Sequence, residues 1–232
     1  MADPDRLFRA GVYEPSMLDF WDDVLSYFYR RLPLARGTTL LDIGCGRGRL
    51  VAWARQDRIA AYGVEPNWPR PMAERWIARG LAEALPFKAG SFDELVSFSV
   101  LPYVTDPSRC FSEMARVLRE SGRAHIAVPE LAGYAVLRRG NYRNLPSTAW
   151  LLEEIRNEPT LALEATVRIG LKYLVPLVKR TLVRAKPTTG LRLLRRLYLR
   201  TYPAGLGDLA FVTVRRLPTT IAKGPAGVGE AQ

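Results

Sequence analysis

The sequence predicts an α/β fold whose sheet is doubly wound and mostly parallel. Strand-like apolar runs alternate with amphipathic helical runs between residues 38 and 130, which is typical of consecutive βαβ units. Three glycines within five residues, Gly44, Gly46 and Gly48, follow the first apolar run directly. A chain of 232 residues that is 48% hydrophobic is large enough to bury one sizeable core.

Each element of this fold has its own local signal. Apolar residues at helical spacing predict a first helix over residues 16–32, with Ser16 as its N-cap. Strands and helices are then expected to alternate up to residue 130. The predicted strands are 38–43, 59–65, 91–101 and 123–130, and the predicted helices are 48–57, 70–80 and 107–122, the last entered through Asp106-Pro107 and stopped by Gly122.

The pattern is weaker beyond residue 130. A helix is expected over 147–158 with Ser147 as its cap, and strands are expected over 160–170 and 209–216. The predicted organisation is one domain over 1–217 and a disordered tail over 218–232. Within the domain we expect a ligand-binding core at 38–130 and a basic, leucine-rich helical insertion or lid at 165–207 before the last strand.

Charge and cysteine content narrow the class of protein. The net charge is +11, and residues 131–232 carry the whole surplus, with ten Lys/Arg and no acid between Glu164 and Asp208. No apolar run reaches the roughly 18 residues of a membrane span, and the N-terminus is too polar for a secretory signal. Two distant cysteines without disulfide or metal spacing favour a reducing, cytoplasmic location.

The glycine loop predicts a ligand site at the carboxyl end of the first strand, where doubly wound sheets bind their ligands. Its spacing is G-x-G-x-G, and Arg49 occupies the place where a dinucleotide fingerprint would have its third glycine. The loop also follows an acid, Asp42, which suits a ligand with a positive end and is a poor neighbour for a pyrophosphate.

A second acid indicates the rest of the ligand. Glu65 lies 21 residues after Gly44, at the end of the next predicted strand, where a carboxylate accepts hydrogen bonds from both ribose hydroxyls. A ribonucleoside with an amino-acid-like end and no pyrophosphate describes S-adenosylmethionine.

Five blocks in register resemble class I S-adenosylmethionine-dependent methyltransferases of the small-molecule type. They are "LLDIGCGRG", "GVEP", "AEALPFKAGSFDELVSFSVLPYV" (which resembles two blocks) and "EMARVLRESGRAHIAVP", within residues 40–129. The resemblance implies a Rossmann-like, seven-stranded sheet, S-adenosylmethionine as cofactor and transfer of a methyl group.

The resemblance also implies which residues contact the cofactor. The loop glycines would face its methionine end, which Asp42 orders; Glu65 would hold the ribose, and Ala82 and Glu83 would lie near the adenine. Leu81 stands where the family often has an acid, so the bond to the adenine amino group is in doubt. The full predicted set is Asp42, Gly44, Cys45, Gly46, Gly48, Glu65, Pro66, Ala82, Glu83 and Ser99.

Catalytic residues are less well indicated, because methyl transfer needs alignment and water exclusion more than a dedicated base. Glu130, after the fifth strand, is a candidate base or a solvent-facing acid. Tyr103 is a candidate substrate contact or a packed loop aromatic. Tyr13 is a candidate cover for the cofactor. His125, in mid-strand, is expected to be structural, and no metal site is predicted.

The basic segment allows three interpretations. Its leucines and arginines lie on different helical faces over 171–200, which suits a lid, a lid that also contacts anionic membrane or a lipid-linked substrate, or a nucleic-acid surface. The last is disfavoured because no RNA-binding module is visible. The expected acceptor is a small molecule, sugar or lipid intermediate with an anionic group. The alternatives are a non-catalytic cofactor-binding protein and an RNA methyltransferase.

Overall fold

A seven-stranded sheet forms the centre of the computed structural model, which describes residues 15–67, 75–129, 143–144, 147–169 and 209–218. In chain order the elements are α1 (Pro15–Tyr29), β1 (Thr39–Ile43), α2 (Arg49–Gln56), β2 (Ala60–Val64), β3 (Ile77–Ala78), β4 (Phe92–Phe98), a 3₁₀ turn (Leu101–Tyr103), α3 (Pro107–Val117), β5 (Leu118–Pro129), α4 (Thr148–Asn157), β6 (Leu161–Ile169) and β7 (Leu209–Arg216).

The strand order confirms the predicted doubly wound sheet. It is β3-β2-β1-β4-β5-β7-β6, with β1 to β5 parallel and β7 antiparallel to both of its neighbours. The strand order reverses between β1 and β4. The carboxyl ends of these two neighbouring strands therefore form a topological switch point, where sheets of this kind bind their ligands.

Helices cover both faces of the sheet. On one face, α1 and α2 pack on the sheet through Phe28, Leu50 and Val51, and the Phe28 ring stacks on Phe211 of β7 with 4.8 Å between centroids. On the other face, α3 and α4 pack through residues such as Phe111 and Leu151, which are fully buried. This two-sided burial explains why the central strands read as continuous apolar runs.

Two predicted helices end differently in the structure. The helix predicted over 70–80 is wrong at its end, because Ile77 and Ala78 form β3 against Gly63 and Val64 of β2; residues 68–74 lie outside the described part of the chain. The helix predicted to stop at Gly122 ends at Val117, and β5 begins at Leu118, which pairs with Phe92.

The remaining predictions concern helix starts, the basic insertion and residues outside the described ranges. The expected starts of α3 and α4 are confirmed, since Asp106 accepts from the Arg109 N–H and Ser147 from the Trp150 N–H. The first helix begins at Pro15 and ends at Tyr29, so Ser16 lies inside it and is not its N-cap. The first five residues of the predicted insertion, 165–169, belong to β6. Tyr13, Glu130, the rest of the insertion and residues 219–232 lie outside the described residues.

Ser97, near the end of β4, offers a test of core packing. Its hydroxyl is buried and finds no hydrogen-bond partner among the described residues. A buried hydroxyl without a partner is a cost that alanine removes. We therefore expect Ser97→Ala to leave the free energy of unfolding unchanged or raise it by up to about 1 kcal/mol, as measured by urea denaturation. A loss of more than about 1 kcal/mol would show that the hydroxyl is satisfied.

Candidate functional site

The loops after β1, β2 and β4 meet at the carboxyl edge of the sheet. The Gly44 N–H donates to the Val64 carbonyl at 2.8 Å, and the Cys45 N–H donates to the same oxygen at 3.1 Å. The Gly46 N–H donates to the Glu65 carboxylate at 3.1 Å. The structure thus brings together the glycine loop and the acid that the sequence predicted as two parts of one site.

Backbone conformation favours glycine at all three positions of this loop, and space requires it at Gly44. Gly44, Gly46 and Gly48 all have positive φ angles, of 66°, 53° and 70°. A Cβ on Gly44 would lie 2.4 Å from a Val100 methyl group, whereas one on Gly46 would meet no atom of the described residues within 4 Å. The loop is therefore packed against the turn after β4 at Gly44. Gly48 caps α2, so the helix begins beside the site.

Two carboxylates define the electrostatics of the site. Asp42 is 4% exposed, and its burial raises the pKa of its carboxyl, which the negative charge of Glu65 raises further. Glu65 is partly buried and also accepts from the Asn67 N–H at 3.3 Å, so its carboxylate is held by two backbone donors. A ligand with a positive group near Asp42 and hydroxyl donors near Glu65 would suit this pair of acids.

Cys45 and Pro66 contribute backbone to the site. The Cys45 side chain is 9% exposed and packs on Gly63, where a Cβ would come within 2.6 Å of its sulfur. Only the main chain of Cys45 is thus left to face a ligand. The Pro66 carbonyl accepts from the Arg79 guanidinium at 3.0 Å.

The segment after β3 is fixed by side chains of α3. Glu113 accepts from the Leu85 N–H at 2.7 Å, and Arg116 donates to the carbonyls of Leu85 and Phe87. The hydrogen bond from Arg116 lowers the pKa of Glu113 below its usual range. Because the ionised acid is favoured in the folded state, this contribution to stability is present above the ordinary pKa of glutamate and lost as the pH falls through the lowered one.

Predicted adenine-side residues occupy this same segment. Ala82 is 8% exposed and belongs to the core, and the Glu83 carboxylate accepts from the Thr105 N–H at 2.6 Å. Glu83 therefore ties this segment to the loop after β4. Leu81, at the position where the family often has an acid, is 54% exposed.

The turn after β4 carries backbone strain. Ser99 has a φ of 58°, a conformation that is uncommon for residues other than glycine and that clusters at functional sites. Its N–H donates to the Ala127 carbonyl at 2.8 Å, which holds the turn to β5. Tyr103 ends the 3₁₀ turn and is 41% exposed. The resemblance implies that residues 99–101 face the sulfonium and the acceptor. No signal in the sequence identifies the segment 143–144, described below, which bonds this turn.

His125 is structural, as expected. It lies in mid-β5, is 5% exposed, and has Glu94 at 2.8 Å from one ring nitrogen and Thr213 at 3.1 Å from the other. Glu94 lies near the start of β4, away from the carboxyl edge.

Comparisons with known proteins agree with this geometry. Residues 41–126 match the model of a methyltransferase domain family. Methyltransferase GfsG of Streptomyces halstedii is 32% identical over 154 residues, which cover 59% of this chain and 55% of that protein. An uncharacterized methyltransferase of Mycobacterium sp. strain JLS is 38% identical over 95 residues, which cover 38% of this chain and 37% of that protein. The chain therefore spans about half, or less, of the length of these relatives.

Similar solved structures share the fold. The methyltransferase in complex with the Trm112 methyltransferase activator of Haloferax volcanii aligns with a TM-score of 0.67 and 20% identity, covering 94% of this chain and 98% of that one. At this level of identity the likeness concerns architecture alone. Among the described residues, no helix is long and apolar enough to cross a bilayer.

Proposed function

We propose that this chain, which belongs to the class I S-adenosylmethionine-dependent methyltransferases, transfers a methyl group from that cofactor to an acceptor. The observation that carries the proposal is the contact between the Gly46 N–H and the Glu65 carboxylate. It joins a glycine-rich loop to an acid that can bind ribose hydroxyls, and a second, buried acid, Asp42, lies in the strand that leads into this loop.

The cofactor supplies an electrophilic methyl group on a sulfonium, and the residues of this chain would bind and orient it. Glu65 is already fixed by two N–H donors, so its free lone pairs are aimed before binding. Asp42 would face the cationic end, where a positive charge lowers its raised pKa and makes its ionised form favourable. No described residue comes within 4 Å of a Cβ built on Gly46, which would let the ligand lie directly on the backbone.

Methyl transfer itself would depend on alignment of the acceptor and exclusion of water. The turn after β4, with Ser99 and the exposed Tyr103, would form the acceptor side of the site. Glu130 remains our candidate for a base where the acceptor needs deprotonation. Oxygen, nitrogen and carbon acceptors are all compatible with this arrangement.

The acceptor we propose is a small molecule, sugar or lipid-linked intermediate with an anionic group. The support is compositional: residues 165–207 contain ten Lys/Arg and no acid, with leucines at helical spacing. The two distant cysteines favour a cytoplasmic protein, and the basic composition suits contact with anionic membrane through residues 171–200. Flotation with liposomes containing anionic lipid at low salt, compared with neutral liposomes, tests this contact; equal flotation with both would remove it.

Cofactor binding is the first experiment. We expect S-adenosylmethionine and S-adenosylhomocysteine to give a calorimetric signal with the wild-type protein, and Glu65→Gln to weaken both by about tenfold or more, since a carboxylate-hydroxyl contact is lost. Glu153→Gln, the same change at an exposed position of α4, is the matched control. No signal with the wild-type protein, or equal affinities in both variants, would contradict the proposal.

The second experiment separates an enzyme from a binding protein. Cell extract is incubated with the protein and S-adenosylmethionine and searched by mass spectrometry for a product heavier by one methyl group. Binding without any methylated product would favour the non-catalytic alternative, which the exposed Leu81 in place of an acid also favours. Product in the RNA fraction alone would favour an RNA acceptor.

A further inference from the structure

The turn after β4, which comprises residues 99–105, accepts hydrogen bonds from two residues that lie far away in sequence. Asn144 donates its side-chain amide to the carbonyls of Leu101 at 3.0 Å and Val104 at 2.8 Å. The Asn144 and Arg143 N–H groups both donate to the Pro102 carbonyl, at 3.1 and 2.7 Å. Three carbonyls of one short turn are thus satisfied by two consecutive residues from the segment between β5 and α4.

The chemistry of this contact is specific to an amide. An asparagine NH₂ group has two hydrogens, and here each is directed at a different carbonyl oxygen. Aspartate has the same shape but only acceptors, so it would place its oxygens against two other acceptors. Alanine would leave the two carbonyls without these donors.

The other side of the turn contacts the site. Near the start of the turn, Val100 occupies the space that a Cβ on Gly44 would fill. At the end of the turn, the Thr105 N–H donates to the Glu83 carboxylate. Arg143 reinforces this end by donating to the Thr105 hydroxyl at 2.7 Å. The turn therefore lies between the glycine loop, the segment that carries Glu83, and the residues 143–144.

We propose that Asn144 is a positioning residue: by bonding the carbonyls of Leu101 and Val104, it fixes the turn that presses Val100 onto the glycine loop and presents Tyr103 on the acceptor side. Asn144 acts through the turn and not by touching cofactor or acceptor. The proposal rests on the proposed function, since the turn that Asn144 stabilises borders the proposed cofactor site.

Amide hydrogen exchange and calorimetry on the full chain test the proposal. The variant is Asn144→Asp, and the matched control is Asn157→Asp, the same change at an exposed position at the end of α4. We expect exchange of the Tyr103 and Thr105 amides, which bond the Val100 carbonyl and the Glu83 carboxylate, to become at least about tenfold faster in Asn144→Asp, with exchange in β1 and β4 unchanged. We expect its affinity for S-adenosylhomocysteine to fall by about tenfold.

Each outcome decides the proposal. Exchange of the Tyr103 and Thr105 amides at the rate seen in Asn157→Asp, or an increase spread evenly over the sheet, would overturn a positioning role, because a purely structural asparagine would loosen the whole domain. Should Asn144→Asp not fold, Asn144→Ala removes the same two donors without adding a charge and carries the same test. If the wild-type protein itself gives no signal with S-adenosylhomocysteine, the proposed function fails first, and the role of Asn144 in cofactor binding fails with it.

Discussion

Replacing Gly44 with alanine is expected to lower the free energy of unfolding by about 3 kcal/mol and to abolish measurable cofactor binding. Two costs add: the left-handed backbone at φ 66° costs a residue with a Cβ about 1–2 kcal/mol, and overpacking against Val100 costs about 1–3 kcal/mol more. Urea denaturation measures the first result and titration calorimetry with S-adenosylhomocysteine the second.

Gly46→Ala is the matched control for this prediction. Its φ of 53° carries the same backbone penalty, but within the described part of the chain its Cβ would meet nothing within 4 Å. The expected loss of stability is therefore only about 1–2 kcal/mol. The double variant Gly44→Ala/Val100→Ala is expected to lose less free energy of unfolding than the two single variants lose in sum, because Val100→Ala removes the methyl group that clashes with the new Cβ. Equal losses in Gly44→Ala and Gly46→Ala would show that the contact with Val100 is unimportant.

Asp42→Asn is expected to stabilise the protein without cofactor while weakening cofactor binding. Burial and the charge of Glu65 raise the pKa of Asp42, so the folded state favours its neutral form. Its contribution to stability therefore declines as the pH rises above the ordinary value of aspartate and through the raised pKa. Asparagine keeps the neutral shape at every pH, and we expect a gain of about 1–3 kcal/mol at pH 7.

The control for Asp42→Asn is an aspartate with the opposite shift. Burial would raise the pKa of Asp93, but hydrogen bonds from Thr39 and Arg119 outweigh it and lower the pKa. Asp93→Asn should therefore destabilise the protein at pH 7, and its difference from wild type should vanish as the pH falls through the lowered pKa. Urea denaturation of the three proteins between about pH 2 and pH 8 is the measurement, because the lowered pKa of Asp93 lies below the ordinary value of aspartate.

The cofactor side of the same prediction has the opposite sign. Asp42→Asn removes the charge that would face a cationic ligand group, so the affinity for S-adenosylmethionine is expected to fall by about tenfold. A variant that is more stable and binds as well as the wild type would show that Asp42 does not contact the ligand. A variant that is less stable would contradict the raised pKa itself.

Sequence reasoning failed where pairing or packing with distant residues overrode a local signal. Gly122 looked like a helix stop, but it is a strand residue: a Cβ there would lie 2.8 Å from the Asp93 carbonyl, beside the irregular register between Phe92 and Glu94. Ile77 and Ala78 continue a helical pattern, yet backbone pairing with β2 makes them a strand. Pairing partners more than ten residues away leave no trace in local periodicity.

The amino-acid sequence alone was enough to predict the alternation of strands and helices, the glycine loop, the acid near the end of β1 and the acid after β2. These features follow from short-range physics, since periodicity, capping and positive φ act over a few residues. Only the tertiary structure decided that Gly44 packs on Val100, that Glu65 bonds the Gly46 N–H, and that Asn144 holds the turn after β4. Such contacts join residues 19 to 56 positions apart, and the packing of the whole sheet is what brings them together.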